Sequence, residues 1–300
     1  MRNWRPSLNF TLGLALGIII AGSLAFGTAK WNGNKEHPQR FSPALPEALS
    51  FAGEKVPLDR WDVRERFDRE LLVNYYNDAN VLFLMKLANR YFPEIEQRLR
   101  ANGVPEDFKY LCVAESNLLA GARSPVGATG FWQFMSGTAP GYGLTVNDQV
   151  DYRYDLQRST DAACAYLKSA YQKFGSWTAA AASYNCGQGG YNSQASFQGT
   201  TNYYDLLLPE ETNRYIFRIL AFKHLLENAG DMGFNLSADE KYAPIPTRSV
   251  TVSSSIPNLA QWAKESGTTY KMLRQLNPWL RGRSLSVSAG RSYKIQLPAE

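Results

Sequence analysis

Lys109-Tyr110-Leu111-Cys112-Val113-Ala114-Glu115-Ser116-Asn117-Leu118-Leu119 reads as a helix that is apolar along most of its length. Glu115 falls four residues after Leu111 and four before Leu119, so helical spacing puts it on the buried stripe, away from the solvated face. Burial raises a carboxyl pKa and keeps the group protonated near neutral pH. That is the state a general acid needs. Periodicity alone leaves a second reading open, a Glu hydrogen-bonded for structural reasons or placed at a helix end near solvent.

Working outward, helical periodicity dominates from residue 63. Phe67, Leu71, Leu72 and Tyr75 recur at three- and four-residue steps, and Leu82, Met85, Leu87, Tyr91 and Ile95 continue the pattern after a break. Asn102-Gly103-Val104-Pro105 closes one helix, and Pro105-Glu106-Asp107 opens the next with acids in its first turn. Residues 124–143 form a Gly-punctuated loop. Further helices are expected over 159–174, over 177–184 with a stop at Asn185-Cys186-Gly187, and over 209–227. The expected class is mainly α, with one helical domain over residues 61–235.

After Gly230 the pattern changes. Val250-Thr251-Val252 alternates like a strand, 256–266 and 269–276 read as short helices, and Tyr293, Ile295 and Leu297 alternate again. A linker over 236–247 and a small βααβ module over 248–298 follow from this switch. On the other side, residues 30–60 are rich in Pro, Gly and charge and read as a spacer. Residues 1–29 open with Arg2 and Arg5 and continue as an uncharged, strongly apolar run, the layout of a signal peptide or an N-terminal membrane anchor. Ala25-Phe26-Gly27 offers small residues for cleavage, and no cysteine follows closely enough for lipoprotein processing. The remainder is therefore expected to be exported to the periplasm or cell envelope, with possible anchoring to the inner membrane through residues 11–29.

Composition bounds the function. At 300 residues the chain has room for one sizeable domain plus something smaller. A net charge of +5 without any run of five Lys or Arg gives no nucleic-acid footprint. A mildly basic surface suits an anionic wall polymer or a membrane surface equally. Cys112, Cys164 and Cys186 form no CxxC pair, and only His37 and His224 are present, so a metal site is not expected. Cys112 and Cys164 read as buried thiols, while a Cys164–Cys186 bridge is left open. Seventeen Tyr and seven Trp supply flat faces with polar tips, which suit sugar rings as well as cores.

Four ordered motifs then sharpen the reading of Glu115. Glu115-Ser116 is followed by Ser124, Gly127-Ala128-Thr129-Gly130-Phe131-Trp132-Gln133-Phe134-Met135, Thr138-Ala139 and Tyr142-Gly143-Leu144. Downstream stand Ala182-Ser183-Tyr184-Asn185-Cys186-Gly187 and Glu211-Thr212-Asn213-Arg214-Tyr215-Ile216. The set resembles the lysozyme-like (goose-type) lytic transglycosylases of glycoside hydrolase family 23, and its Trp132 variant resembles the membrane-bound branch of that family. One substitution, Ser183, precedes the Tyr of the Ala-Tyr-Asn motif.

The resemblance implies a peptidoglycan lytic transglycosylase that acts on glycan strands without a cofactor. Glu115 would be the sole acid/base. Gln133 and Asn185 would hydrogen-bond the sugar, Tyr184 would line the reactive subsite, and Ser124 and Met135 would contact substrate. Glu211 and Tyr215 would border the site, with the Tyr215 hydroxyl holding Glu115. Simpler readings stand beside these. Gly127 and Gly130 suit positive φ in a tight loop, Tyr184-Asn185 suits a helix stop, and Glu210 and Glu211 suit a helix N-terminus. Trp132 fits a core position as well as a sugar platform.

Glycosidases usually set two carboxyl groups across the bond, yet no second acid stands out here; Asp151 and Asp155 read as turn residues. The resemblance implies instead that the 6-hydroxyl of N-acetylmuramic acid is the nucleophile. The MurNAc-GlcNAc bond would then break without water to give 1,6-anhydro-MurNAc ends. A goose-type hydrolase and a non-catalytic wall-binding protein are the alternatives. The tail resembles a LysM module, most strongly at Asn277-Pro278-Trp279-Leu280, although Ser253-Ser254-Ser255-Ile256-Pro257 replaces the usual Gly-Asp-Thr turn.

Overall fold

Buried charge is the first thing the helices have to accommodate. The computed structural model describes residues 41–299. Helix α1 (Trp61–Tyr75) buries Val63, Phe67 and Leu71 on one stripe, and Glu70 lies on that stripe as well. Helix α6 (Glu210–Glu227) answers it with Arg214, whose Nε donates to Glu70 Oε1 at 2.7 Å. The two helices pack along their length, and each buried Phe, Leu or Ile on this seam is worth about 1.5–3 kcal/mol against exposure. Breaking the Glu70 pair from one side would leave a buried charge uncompensated.

Helix α2 (Asp78–Ala101) buries Val81, Leu84, Leu87, Ile95 and Leu99. Of the expected Leu82, Met85, Leu87, Tyr91 and Ile95, Leu87 and Ile95 lie on this stripe, while Leu82, Met85 and Tyr91 flank it half-buried. Gly103, at φ +66°, turns the chain out of α2 toward the short helix α3 (Phe108–Ser116). Tyr110, Leu111, Cys112 and Val113 are all buried, and α3 packs on α2 and α6. Helix α4 (Leu156–Phe174) starts on Asp155, whose side chain accepts from Arg158 N at 2.8 Å, and ends at Gly175, φ +72°. Helix α5 (Trp177–Gln198) starts on Ser176. The stop expected at Asn185-Cys186-Gly187 is a break: Gly187 has φ 76°, ψ 147°, and helix resumes beyond it.

The expected spacer over residues 30–60 is not free at its C-terminal end. Strands β1 (Ser50–Phe51) and β2 (Glu54–Lys55) form a small hairpin turned at Ala52-Gly53, both at positive φ. Phe51 is fully buried with its ring 5.2 Å from Phe108. The Glu54 carboxylate receives Trp177 N at 2.6 Å and Thr178 N at 2.9 Å, so it caps the positive end of α5. No residue spacing announces such a cap, because donor and acceptor lie far apart in the chain.

The tail folds as the expected βααβ unit: β3 (Thr247–Val252), α7 (Leu259–Glu265), α8 (Tyr270–Leu276) and β4 (Tyr293–Pro298). β3 and β4 pair antiparallel with Val250 opposite Ile295. Asn277, fully buried, stitches α8 to β4: its Nδ2 donates to Gln296 O at 2.7 Å and its Oδ1 accepts from Gln296 N at 2.7 Å. Of the described residues, 42–299 belong to one compact unit. The apolar run over residues 11–29 lies outside the described residues. Among those described, no helix is long and apolar enough to cross a membrane.

Candidate active site

Helix α3 ends one residue after Glu115. Asn117 (φ 50°) and Leu118 (φ 58°) both take left-handed backbone, and Asn117 N closes the last turn on Val113 O at 2.8 Å. A buried Leu at positive φ is uncommon and strained. It is Leu118, rather than the expected Leu119, that continues the apolar face, since Leu119 is 43 % exposed. Glu115 is only partly exposed, so the surrounding protein shields much of its side chain from water.

That enclosure sets its chemistry. Burial is the largest influence and raises the Glu115 pKa to about 7; the Tyr215 hydroxyl and the Arg218 charge oppose the rise, and Glu211 adds to it. Tyr215 reaches in from α6, itself buried, and its hydroxyl donates to Glu115 Oε1. Near neutral pH the group is therefore divided between acid and carboxylate. It can give a proton and take one back without a large driving force either way. Removing the Tyr215 hydroxyl takes away a bond that favours the charged form. Tyr215→Phe is therefore expected to move the alkaline limb of the kcat profile to higher pH and lower kcat by about tenfold; a pH-rate series on both proteins checks it.

Arg218 links the surrounding acids. It donates to Glu211 Oε1 at 2.9 Å and lies 3.8 Å from Glu70 Oε2. Glu211 is exposed, and its bond to Arg218 holds its carboxyl below the usual range. Among the described residues, the carboxylate that raises the Glu115 pKa, Glu211, is thus an anion already paired to a guanidinium.

The loop after α3 is built around backbone. Ser124 Oγ accepts from Ala128 N at 3.1 Å, and Thr129 N donates to Phe134 O at 3.1 Å. Gly130 sits at φ +82°, where a Cβ would come within 1.9 Å of Arg153 O, so only glycine fits. Gln133 stands at φ +48°, and its Nε2 donates to Gly130 O at 2.8 Å and Ala122 O at 3.2 Å. That leaves its Oε1 as the end able to accept from a ligand. Met135 is 41 % exposed on the same loop. Trp132 is core: it is fully buried, and its indole N–H donates to Thr160 Oγ1 at 2.9 Å.

Helix α5 adds two residues at its break. The Tyr184 hydroxyl donates to Trp132 O at 2.8 Å, tying α5 to the loop, and burial together with the Glu115 charge raises its pKa well above normal. Asn185 Oδ1 accepts from Thr212 Oγ1 at 2.8 Å, which leaves its amide nitrogen as the end able to donate to a ligand. Asp155 caps α4, the helix approach expected of it, whereas Asp151 is not solvated as expected: it is buried and grips Arg153. Cys112, Cys164 and Cys186 are all free thiols, so no Cys164–Cys186 bridge forms. A crevice of about 860 Å³ lies elsewhere, between the helical domain and the tail. Glu115 is not among the residues that line it.

Sequence reading did not single out Arg218, Glu70 or Thr212. Glu70 had a signal, a charge three residues after Phe67 on a buried stripe; Thr212 lies in the Glu211–Ile216 motif with nothing to mark its bond to Asn185, and Arg218 had no signal beyond lying near Tyr215.

A mainly helical domain that presents a partly buried carboxyl with its pKa raised to about 7 is followed by a βααβ module. Residues 92–206 match the family described as the transglycosylase SLT domain, and residues 248–300 match the one described as the soluble lytic transglycosylase C-terminal LysM-like domain. The chain is 28% identical over 226 residues to membrane-bound lytic murein transglycosylase D of Escherichia coli strain K12, and equally to that of Escherichia coli O6:H1. These matches cover 73% of this chain and 49% of each relative, so it spans about half the length of the curated relatives it matches. Among solved structures, the 70 kDa soluble lytic transglycosylase from Escherichia coli has TM-score 0.41 at 20% identity, covering 62% of this chain and 37% of that one. An inactive mutant of lytic transglycosylase Slt from Pseudomonas aeruginosa has TM-score 0.39 at 20% identity, over 51% and 26%.

Proposed function

We propose that this protein is a peptidoglycan lytic transglycosylase of the cell envelope, with Glu115 as its only acid/base. The observation that carries the proposal is the Glu115 carboxyl, held by Tyr215 and poised near pKa 7. Protonated Glu115 gives its proton to the bridging oxygen of the MurNAc-β-1,4-GlcNAc bond. The N-acetyl group of the same muramic residue stabilises the cationic anomeric carbon. Glu115, now a carboxylate, takes the proton of the 6-hydroxyl as that oxygen attacks the anomeric carbon. The proton count closes and Glu115 ends as it began. The nucleophile belongs to the substrate, and intramolecular attack supplies the proximity that an activated water would need from a second carboxylate.

The other residues act on the sugar. Gln133 Oε1 accepts from it and Asn185 donates to it, while Tyr184 walls the reactive subsite. Met135 and Ser124 meet the strand along the loop, and Glu211 borders the site through Arg218. A hydrolase would need Glu211 to activate water, and its pairing with Arg218 disfavours that role. The positive-flanked apolar run over residues 11–29 supports export and attachment to the inner membrane. Analysis of product ends after digestion of purified peptidoglycan tests the reading: 1,6-anhydro ends are expected, and reducing ends in their place would make the enzyme a hydrolase.

A further inference from the structure

The LysM-like module is docked rather than tethered, and what it docks on is the support of the active-site loop. Asp151 N donates to Trp279 O at 2.9 Å, Arg281 N donates to Gln149 O at 2.7 Å, and Val150 and Leu280 pair as an antiparallel bridge. The Gln149 side chain adds two bonds, donating to Ser284 Oγ at 3.2 Å and accepting from Ser286 N at 3.0 Å. The Trp279 ring is buried between Tyr293, stacked at 5.8 Å, and Tyr152 of the helical domain, at 5.4 Å. Arg281 lies 4.3 Å above the Tyr154 ring. Trp279, the centre of the motif that marks the module as LysM-like, is thus spent on the junction.

The segment so gripped carries a buried ion pair. Arg153 Nε donates to Asp151 Oδ1 at 2.9 Å and its Nη2 to Asp151 Oδ2 at 2.7 Å. The remaining guanidinium nitrogen, Nη1, donates to Phe134 O at 3.2 Å and Gly127 O at 3.3 Å, the two ends of the turn that carries Gln133. Arg153 O closes on Gly130 inside the same turn. The turn's other side is held by Cys112 Sγ on Phe131 O at 3.4 Å and Tyr184 on Trp132 O, both neighbours of the Glu115 charge. A buried Arg held in a bidentate fork has one geometry, so moving its partner Asp151 moves all the carbonyls it supports.

We propose that the LysM-like module is a brace for the active site: by fixing Asp151 it fixes Arg153, the positioning residue that sets the Gly127–Phe134 turn and the Gln133 end offered to the sugar. This rests on the transglycosylase reading for its catalytic consequence but not for its structural one.

Two variants of the full chain separate the possibilities. Gly282→Val wedges the junction, since a Cβ there meets Ser284 O at 3.0 Å and Gln149 Cγ at 3.2 Å. Gln149→Ala removes two bonds across the junction and adds no volume, and it decides the matter if the valine protein fails to fold. Hydrogen exchange by mass spectrometry is expected to show amides of residues 127–134 exchanging about tenfold faster in both, with α6 unchanged. Faster exchange confined to residues 278–286 overturns the proposal. On a short soluble peptidoglycan fragment, kcat is expected to fall about tenfold with KM held within about twofold. Unchanged kcat on the fragment, with KM raised only on intact sacculi, would make the module a wall tether and overturn the brace. A wild type without lytic activity removes the transglycosylase reading, while the exchange result still decides the brace.

Discussion

Glu115→Gln is expected to lower kcat on peptidoglycan by at least about 1,000-fold while leaving substrate binding nearly intact. Glutamine keeps the shape and can still accept from the Tyr215 hydroxyl, but it can neither give nor take the proton. Loss of one positioned acid/base costs about 100- to 10,000-fold, and no neighbouring group replaces it, because Glu211 is committed to Arg218. A paired binding and turnover measurement checks this. The same change has an opposite signature in stability. Glu115 titrates near 4.5 when unfolded and about 7 when folded. The unfolded chain therefore gives up its proton first, and stability falls as pH rises from about 4.5 through 7. Above pH 7 the folded state carries the full cost of a buried anion. Allowing for the solvent opening, Glu115→Gln is expected to raise stability by about 2 kcal/mol at pH 8 and to change little at pH 4. Denaturant unfolding at both pH values checks the sign.

Gly130→Ala is expected to be the most damaging single-methyl change in the loop. The added Cβ would lie 1.9 Å from Arg153 O, a backbone atom, and the φ of +82° is itself unfavourable for alanine. Left-handed backbone costs about 1–2 kcal/mol, and relieving the clash costs about 1–3 kcal/mol more. Separation of Gly130 from Arg153 would also disturb the carbonyls that Arg153 holds, so activity should fall beyond what lost stability explains. Gly127→Ala is the control: it shares the positive φ, but a Cβ there meets nothing within 4 Å. Thermal unfolding and residual activity of the two proteins are expected to differ in that order.

How much of this was legible depended on the range of the interaction. Glu115 was readable because the Leu111 spacing is local, although the left-handed Asn117 ended the helix before Leu119 could belong to its face. The βααβ tail was readable from its change of period. Tyr184-Asn185 was readable as a helix stop or as a site: the helix does break, two residues later at Gly187, and the bond from Thr212 to Asn185 Oδ1 leaves the Asn185 amide nitrogen as the end able to donate. What periodicity does not carry is pairing at long separation. Glu70 with Arg214, Glu54 under α5 and Trp279 against Tyr152 are each fixed by tertiary packing alone. Gln133 shows the same limit within a motif, since its amide nitrogen turns inward to the loop and only its oxygen remains for a ligand.

One carboxyl, with its pKa lifted to about 7, is proposed to drive both proton transfers while the substrate supplies the nucleophile. Digestion of purified peptidoglycan in heavy-oxygen water tests it most directly. The wild-type protein is expected to release glycan fragments that carry no heavy oxygen at their muramic ends, and Glu115→Gln to release none above background. Heavy oxygen at those ends would show that water is the nucleophile, and Glu211 would then have to leave Arg218 to activate it.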